Sequence, residues 1–442
     1  MRSLFLALIL LLSACATKQD FELLSATSLR NEETVTFKGL EFLADTLPGQ
    51  VVPRVNVVYM HGIGWTEDPD GDPLAVDFLK GITDAYGLPL ETGGRRTCLD
   101  AGKGPAPPND DVLYVTAAEP MRLDTAVAEV ELELDRLACV DRRVLDIDGT
   151  LELAVYRVFW DDLFWNALQY QHVGQDDARG SSAELARTRR KYNRRLKDEL
   201  VNYGFSDAVL YLGQAGGIIR EAVRGAICTA HLDAGGYGFA RQGLEVSVDD
   251  ACTLVRNTSV RTNRFAFATE SLGSKIAYDL FRDALTDGVD GPLDRMLPGS
   301  ETYMFANQIP LLSLADVGRR TARAPVVADK VRPKLVALSE VNDFLTYEIV
   351  PFLEQLWRRG DPTDERPFSD PAVRGDIANR LGFDVVDLRV QFADPLVPAL
   401  KGFVDPLAAH KDHAGEPEIM RLVLCGMEAG AVRTRGCLAA EE

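Results

Sequence analysis

Histidine is scarce in this chain, and so is positive charge. Five histidines occur in 442 residues, and the seven cysteines show no C-x-x-C spacing. A zinc site or another Cys/His metal centre therefore lacks its usual ligand pattern. Lysine and arginine total 48 against 67 aspartates and glutamates, for a formal net charge of −19. A body this acidic repels the phosphate backbone, which argues against nucleic acid as a partner. Internal repeats and low-complexity tracts are also missing. Beyond the first residues, no apolar run approaches the roughly 20 residues that a membrane span requires. What remains is a globular body whose 46% hydrophobic content suffices for a sizeable core.

The one long apolar run opens the chain. In MRSLFLALILLLSAC a single arginine precedes Leu4 to Leu12, and small residues lead to Cys15. This is the pattern of a secretory signal peptide, and it is too short for a spanning helix. Leu12-Ser13-Ala14-Cys15 resembles the bacterial lipobox. The resemblance implies removal of residues 1–14, diacylation of Cys15, and a tether and N-terminal segment over 15–50. Ala16 follows the cysteine rather than an aspartate, which by the same resemblance implies a cell-envelope lipoprotein of the outer membrane. Export leaves Cys98, Cys139, Cys228, Cys252, Cys425 and Cys437 in an oxidising compartment. The expected disulfides are the sequence-local pairs Cys98–Cys139, Cys228–Cys252 and Cys425–Cys437.

Strand-like and helix-like runs alternate over most of the remaining length, the pattern of a mainly parallel sheet covered by helices on both faces. Strands are expected at 34–43, 55–62, 111–117, 151–160, 264–269, 302–307, 334–339 and 386–392. Most are continuously apolar, as strands buried on both faces are. Residues 51–442 form the expected α/β domain, with a helical insertion or cap over about 160–262. Within it, residues 183–200 place Leu185, Tyr192, Leu196 and Leu200 along one face of a charged helix. Such a helix is solvated on its other faces, or docks on anionic head groups.

The stretch RFAFATESLGSKIAYDLF carries the strongest chemical signal. Phe265 and Phe267 alternate as in a strand, and Leu272, Ile276, Leu280 and Phe281 then recur at helical spacing. Ser271 lies at the junction, where a turn exposes its hydroxyl and the helix N-terminus offers amide donors. A bare S-x-G is common by chance. A second element adds weight: VNVVYMHGIGW runs a strand into His61-Gly62-Ile63-Gly64. Glycines there let the backbone turn its amides toward a ligand, so Ile63 and Leu272 are the expected oxyanion donors. His61 is read as fixing this loop through hydrogen bonds.

Together the HGIG strand end and the TESLGS turn resemble the serine esterase and lipase branch of the α/β-hydrolase superfamily. The resemblance implies a nucleophile followed in sequence by an acid and then a histidine, beyond two later strands. Asp343, in EVNDFLTY, follows the strand at 334–339 and resembles an acid loop of that family. Only His410 and His413 lie beyond it. The order Ser271, Asp343, His410 fits, at intervals of 343 − 271 = 72 and 410 − 343 = 67 residues. Asp316 and Glu340 are weaker acids: one follows an earlier strand, the other sits too near its own. His410 follows the apolar PLAA run, whereas His413 lies nearer Gly415 and Pro417, at a turn expected to face solvent. A metal site from His410, Asp412 and His413 has no HExxH companion.

Two departures from the family pattern stand out. Thr269 occupies the position of the first glycine of such turns, and Glu270 puts a carboxylate beside the nucleophile. The function implied is hydrolysis of a carboxylic ester, with lipid esters within the class, by acyl transfer without metal or dissociable cofactor. An inactive scaffold lipoprotein on the same fold is the alternative, with the imperfect turn as its support.

Overall fold

The computed structural model describes residues 20–30, 34–62, 76–89, 98, 111–117, 123–124, 129–130, 136–160, 205–213, 215–242, 245–257, 264–286, 293–316, 332–360, 364–394, 404, 406–428, 431–432 and 437. The expectations for Cys15, Ile63 and the charged helix at 183–200 lie outside these residues. The main sheet contains β1 (Glu22–Ser28), β2 (Arg54–Met60), β3 (Val112–Thr116), β4 (Arg136–Ile147) and β5 (Leu151–Phe159). It continues with β6 (Glu245–Ser247), β7 (Phe265–Glu270), β8 (Glu301–Phe305), β9 (Lys334–Glu340) and β10 (Asp384–Gln391). Their order across the sheet is β1-β10-β9-β8-β7-β2-β5-β4-β3-β6.

From β10 through β5 all neighbours are parallel. Antiparallel pairing enters at β1 and on both sides of β4. The architecture is therefore α/β, built on a large, mostly parallel ten-stranded sheet. In its parallel block every strand ends at the same edge, where ligands of open α/β sheets bind.

Continuous apolar runs in the central strands arise because both faces are covered. Val58, Met60, Phe265, Phe267 and Met304 point into one core. Val57, Tyr59, Ala266, Ala268, Tyr303 and Phe305 point into the other. The period of two thus divides one apolar string between two cores. The first core is closed by the helices Ala215–Leu232, Val248–Asn257 and Leu272–Thr286, which carry many of its side chains. In chain order the helices around the site are α1 (Val76–Ala85), α2 (Leu272–Thr286), α3 (Ile349–Gly360), α4 (Pro406–Lys411) and α5 (Pro417–Cys425). α1 and α5 close the second core.

Three features differ from the sequence expectation. The strand expected over 34–43 is only Phe37–Lys38, followed by a 3-10 turn at Leu40–Leu43. At Gly39 the chain presses on the end of α5: a Cβ there would lie 2.2 Å from the Leu424 carbonyl oxygen. The long strand β4 carries Asp141, Arg142 and Arg143 in its interior, which hides its β character in the sequence. Asp141 is buried nonetheless, because Arg157 on β5 donates to both of its oxygens at 2.7 and 2.8 Å. The described part of the 160–262 insertion packs on the sheet, and its strand β6 extends the edge beside β3.

Three disulfides join Cys98 to Cys139, Cys228 to Cys252 and Cys425 to Cys437. These are the sequence-local pairs. Six of the seven cysteines are so engaged, and Cys15 lies outside the described residues.

Candidate active site

Ser271 stands between β7 and α2 with φ of 50°, a left-handed backbone that a non-glycine residue adopts only at a cost. Two backbone bonds hold it there. Its N–H donates to the Phe305 carbonyl at 2.9 Å, and its own carbonyl accepts from Ser274 at 3.0 Å. The turn is tight because α2 starts directly against the end of β2. A Cβ on Gly62 would come within 2.6 Å of the Ser271 Cβ. Leu272 opens α2, so its amide is among those with no intrahelical acceptor. That amide is the described member of the expected donor pair, and it lies at the positive end of the helix dipole.

The side chains beyond the two later strands converge on this serine. His410 Nδ1–H donates to Asp343 Oδ2 at 2.7 Å, and Nε2 stands 2.9 Å from Ser271 Oγ. With Nδ1 protonated, Nε2 of the neutral ring accepts the serine proton. All three residues are buried. Burial alone would raise the Asp343 carboxyl, but hydrogen bonds from His410, Thr346 and the Leu345 amide, together with attraction to His410, hold it below the ordinary value. The Leu345 bond is 2.9 Å and closes an Asx-type turn. Loop capping and orientation of the imidazole thus coexist in one carboxylate.

The acid loop is fixed from three further sides, none of which the sequence pattern announced. Glu340 accepts from the Asn342 backbone and side chain and from the Phe392 amide. Asn307, at the end of β8, donates to the Tyr347 carbonyl at 3.0 Å and to Ser339 Oγ at 3.3 Å. Asp387 on β10 accepts from the Ile349 and Val350 amides at the start of α3. Asp316 serves elsewhere: it and Asp279 flank the fully buried Lys275 ammonium at 2.8 and 2.7 Å. That ion cluster sits one turn along α2 from Ser271. It braces the helix that follows Ser271.

Both departures from the expected turn have structural partners. Thr269 Oγ1 lies 2.9 Å from Ser274 Oγ, both buried, so the hydroxyl ties the strand end to the first helical turn. The close approach that would demand glycine falls instead on Gly273 and Gly62. Glu270 turns aside to accept from Tyr59 Oη at 2.7 Å, on the neighbouring strand. His61 stacks on Trp160 with ring centroids 5.1 Å apart, and its Nδ1–H donates to the Gly62 carbonyl at 3.0 Å. Its own carbonyl accepts from Trp160 Nε1 at 3.3 Å. His61 is thus packed into the loop wall.

No family model, no curated protein and no solved structure matches this chain.

One expectation is overturned. His413 is not at a solvent-facing turn: it is 1% exposed, with its ring edge-on to Phe392 and its Nδ1–H donated to the His410 carbonyl at 3.2 Å. The turn closes inward because Ala414 packs under α1 at Gly81, where a Cβ would meet the Ala414 carbonyl oxygen at 2.3 Å. Among the described residues no group of three or more metal-ligating side chains gathers. An open concavity of about 440 Å³ at the β6 edge, lined by Leu232, Tyr237, Val246 and Leu254 among others, lies far across the sheet from Ser271. Its lining contains no histidine, and Ser247 there donates its hydroxyl to Asp250 at 2.7 Å and accepts the Asp250 amide at 3.1 Å, a helix-capping pair. A serine hydroxyl linked through imidazole to a carboxylate is competent for nucleophilic attack on an acyl carbon.

Proposed function

We propose that this protein is a serine hydrolase of the α/β-hydrolase type that cleaves carboxylic esters through an acyl-enzyme. The observation that carries the reading is the continuous chain from Asp343 through His410 to Ser271, at the shared carboxyl edge of the parallel strands. In this mechanism His410 Nε2 takes the Ser271 proton as Oγ bonds to the ester carbonyl carbon. Asp343 steadies the imidazolium, and the Leu272 and Ile63 amides hold the oxyanion. His410 then returns the proton to the departing alcohol as the C–O bond breaks. Water, deprotonated by the same imidazole, releases the acid. No step calls on a metal or a dissociable cofactor.

The same reading places the enzyme on a membrane through lipid on Cys15. Its support is the LSAC sequence and the pairing of the other six cysteines with one another. No helix among the described residues is long and apolar enough to cross a bilayer. An envelope location next to lipid makes a lipid ester the substrate of choice.

A fluorophosphonate probe tests the chemistry directly. The full chain should take up one adduct, located at Ser271 by mass spectrometry, and Ser271→Ala should take up none. An unlabelled wild type across the pH range in which it stays folded would leave a non-catalytic scaffold as the reading. Cys15→Ser should move the protein from the membrane to the aqueous fraction without lowering turnover of a short soluble ester.

A further inference from the structure

Two histidines three positions apart occupy this site, and the triad uses only one. We propose that His413 is a positioning residue: its Nδ1–H bond to the His410 carbonyl, backed by the contact with Phe392, holds the His410 ring in line between Asp343 and Ser271. The inference rests on the hydrolase reading of the same site.

The argument begins with the helix that carries His410. α4 is only six residues long, Pro406–Lys411, too short to be stable on its own. Its last carbonyls have no partner within the helix, and a helix end buried without partners is costly. His410, itself buried, falls in that last turn. The His410 carbonyl finds its donor in the side chain of His413.

That donor is itself immobilised. Phe392, just past the end of β10, meets the ring edge-on at 5.1 Å between centroids. The following residue, Ala414, packs under Gly81 of α1, and the His413 carbonyl accepts from Glu416 at 3.3 Å as α5 begins. His413 therefore joins the His410 backbone to three elements outside α4: the end of β10, α1 and the start of α5. A loop held in this way keeps an imidazole within the small tolerance that proton transfer demands.

A histidine suits the task because it donates without carrying charge. Burial pushes the His413 ring down to about 4; attraction to Asp343 and the bond to the His410 carbonyl oppose the shift, and the charge of His410 adds to it. A lysine or arginine in its place would set a permanent cation beside an imidazole that must itself become positive during the reaction.

Two variants of the full chain in detergent separate the bond from the packing. His413→Phe keeps a ring against Phe392 and loses the donor, while His413→Asn loses the ring and keeps an N–H near the position of Nδ1. The readouts are kcat and KM on a soluble p-nitrophenyl ester, thermal unfolding, and the low-field proton resonance of His410 Nδ1–H. Expected for Phe is a kcat about tenfold to a hundredfold lower with KM unchanged, and a displaced or broadened low-field resonance. Asn should recover most of the kcat and the resonance despite a lower Tm. Wild-type kcat and resonance in the Phe variant would overturn the proposal, as would losses in both variants that simply track their Tm. A wild type that neither hydrolyses nor labels would instead remove the hydrolase reading. The resonance would still report whether His413 sets the His410–Asp343 geometry.

Discussion

Gly273 lies so close to the end of β2 that a Cβ on it would come within 2.6 Å of the His61 carbonyl oxygen. The Met60 carbonyl oxygen is equally near. Backbone atoms in a central strand cannot retreat as a flexible side chain can, so α2 must shift if anything larger than hydrogen is placed there. Gly273→Ala should lower stability by about 1–3 kcal/mol, the usual cost of overpacking. It should also swing Ser271 out of line with His410 and slow fluorophosphonate labelling well beyond the loss of folded protein. Chemical denaturation and labelling rate, measured on one preparation, check both halves.

In the proposed mechanism Ser271 and His410 act on the same proton, so their removal should not add. Ser271→Ala and His410→Ala should each reduce kcat by about 10⁴-fold or more, and the double variant should be no worse than either single. Circular dichroism should show all three folded. Additive losses in the double variant would mean that the two side chains do not share a step.

Thr269 and Ser274 hydroxyls satisfy each other in a place closed to water. Thr269→Val keeps the shape and removes one partner, leaving Ser274 Oγ to bear its desolvation alone. The expected loss is about 1–3 kcal/mol. If unfolding midpoints of Thr269→Val and wild type coincide, the hydroxyl pair is not what compensates for the missing glycine at this turn.

Glu301 sits buried at the start of β8, and desolvation pushes its carboxyl up to about 7 from an ordinary 4.5, against the pull of Lys334, the Lys38 amide and the Lys38 charge. Because the folded value is the higher one, the folded state keeps a proton that the unfolded chain gives up between these two values. Stability should therefore fall as pH rises through that window and stay reduced above it. Glu301→Gln should remove this part of the dependence and leave the part due to Asp387, whose buried carboxyl is likewise pushed up to about 7 by desolvation. Its advantage over wild type should be absent near pH 4 and reach on the order of 3 kcal/mol above pH 7. Thermal unfolding across that pH range gives the answer, and a variant less stable than wild type at pH 8 would refute it.

The strand-to-helix junction at Ser271, the acid loop after the strand at 334–339 and the choice of the last histidines were legible without coordinates. Each is written in near neighbours: alternation of two in Phe265 and Phe267, helical recurrence from Leu272, glycines beside the serine. Sparse histidine helped, because few candidates for the base remained. The disulfide pairs were legible for a related reason, since short loops close most readily and each pair is near in sequence.

What the chain could not disclose are relations between residues distant along it. Whether Thr269 spoils the turn depends on where β2 ends relative to α2, and the strand pairing that decides this joins positions some two hundred residues apart. The long strand β4 is masked by charges that become tolerable only because Arg157 lies across from Asp141 on the next strand. His410 and His413 lie three positions apart, so no spacing tells them apart. Their roles diverge because α1 and Phe392 close over the turn between them, turning one ring toward Ser271 and holding the other against the backbone behind it.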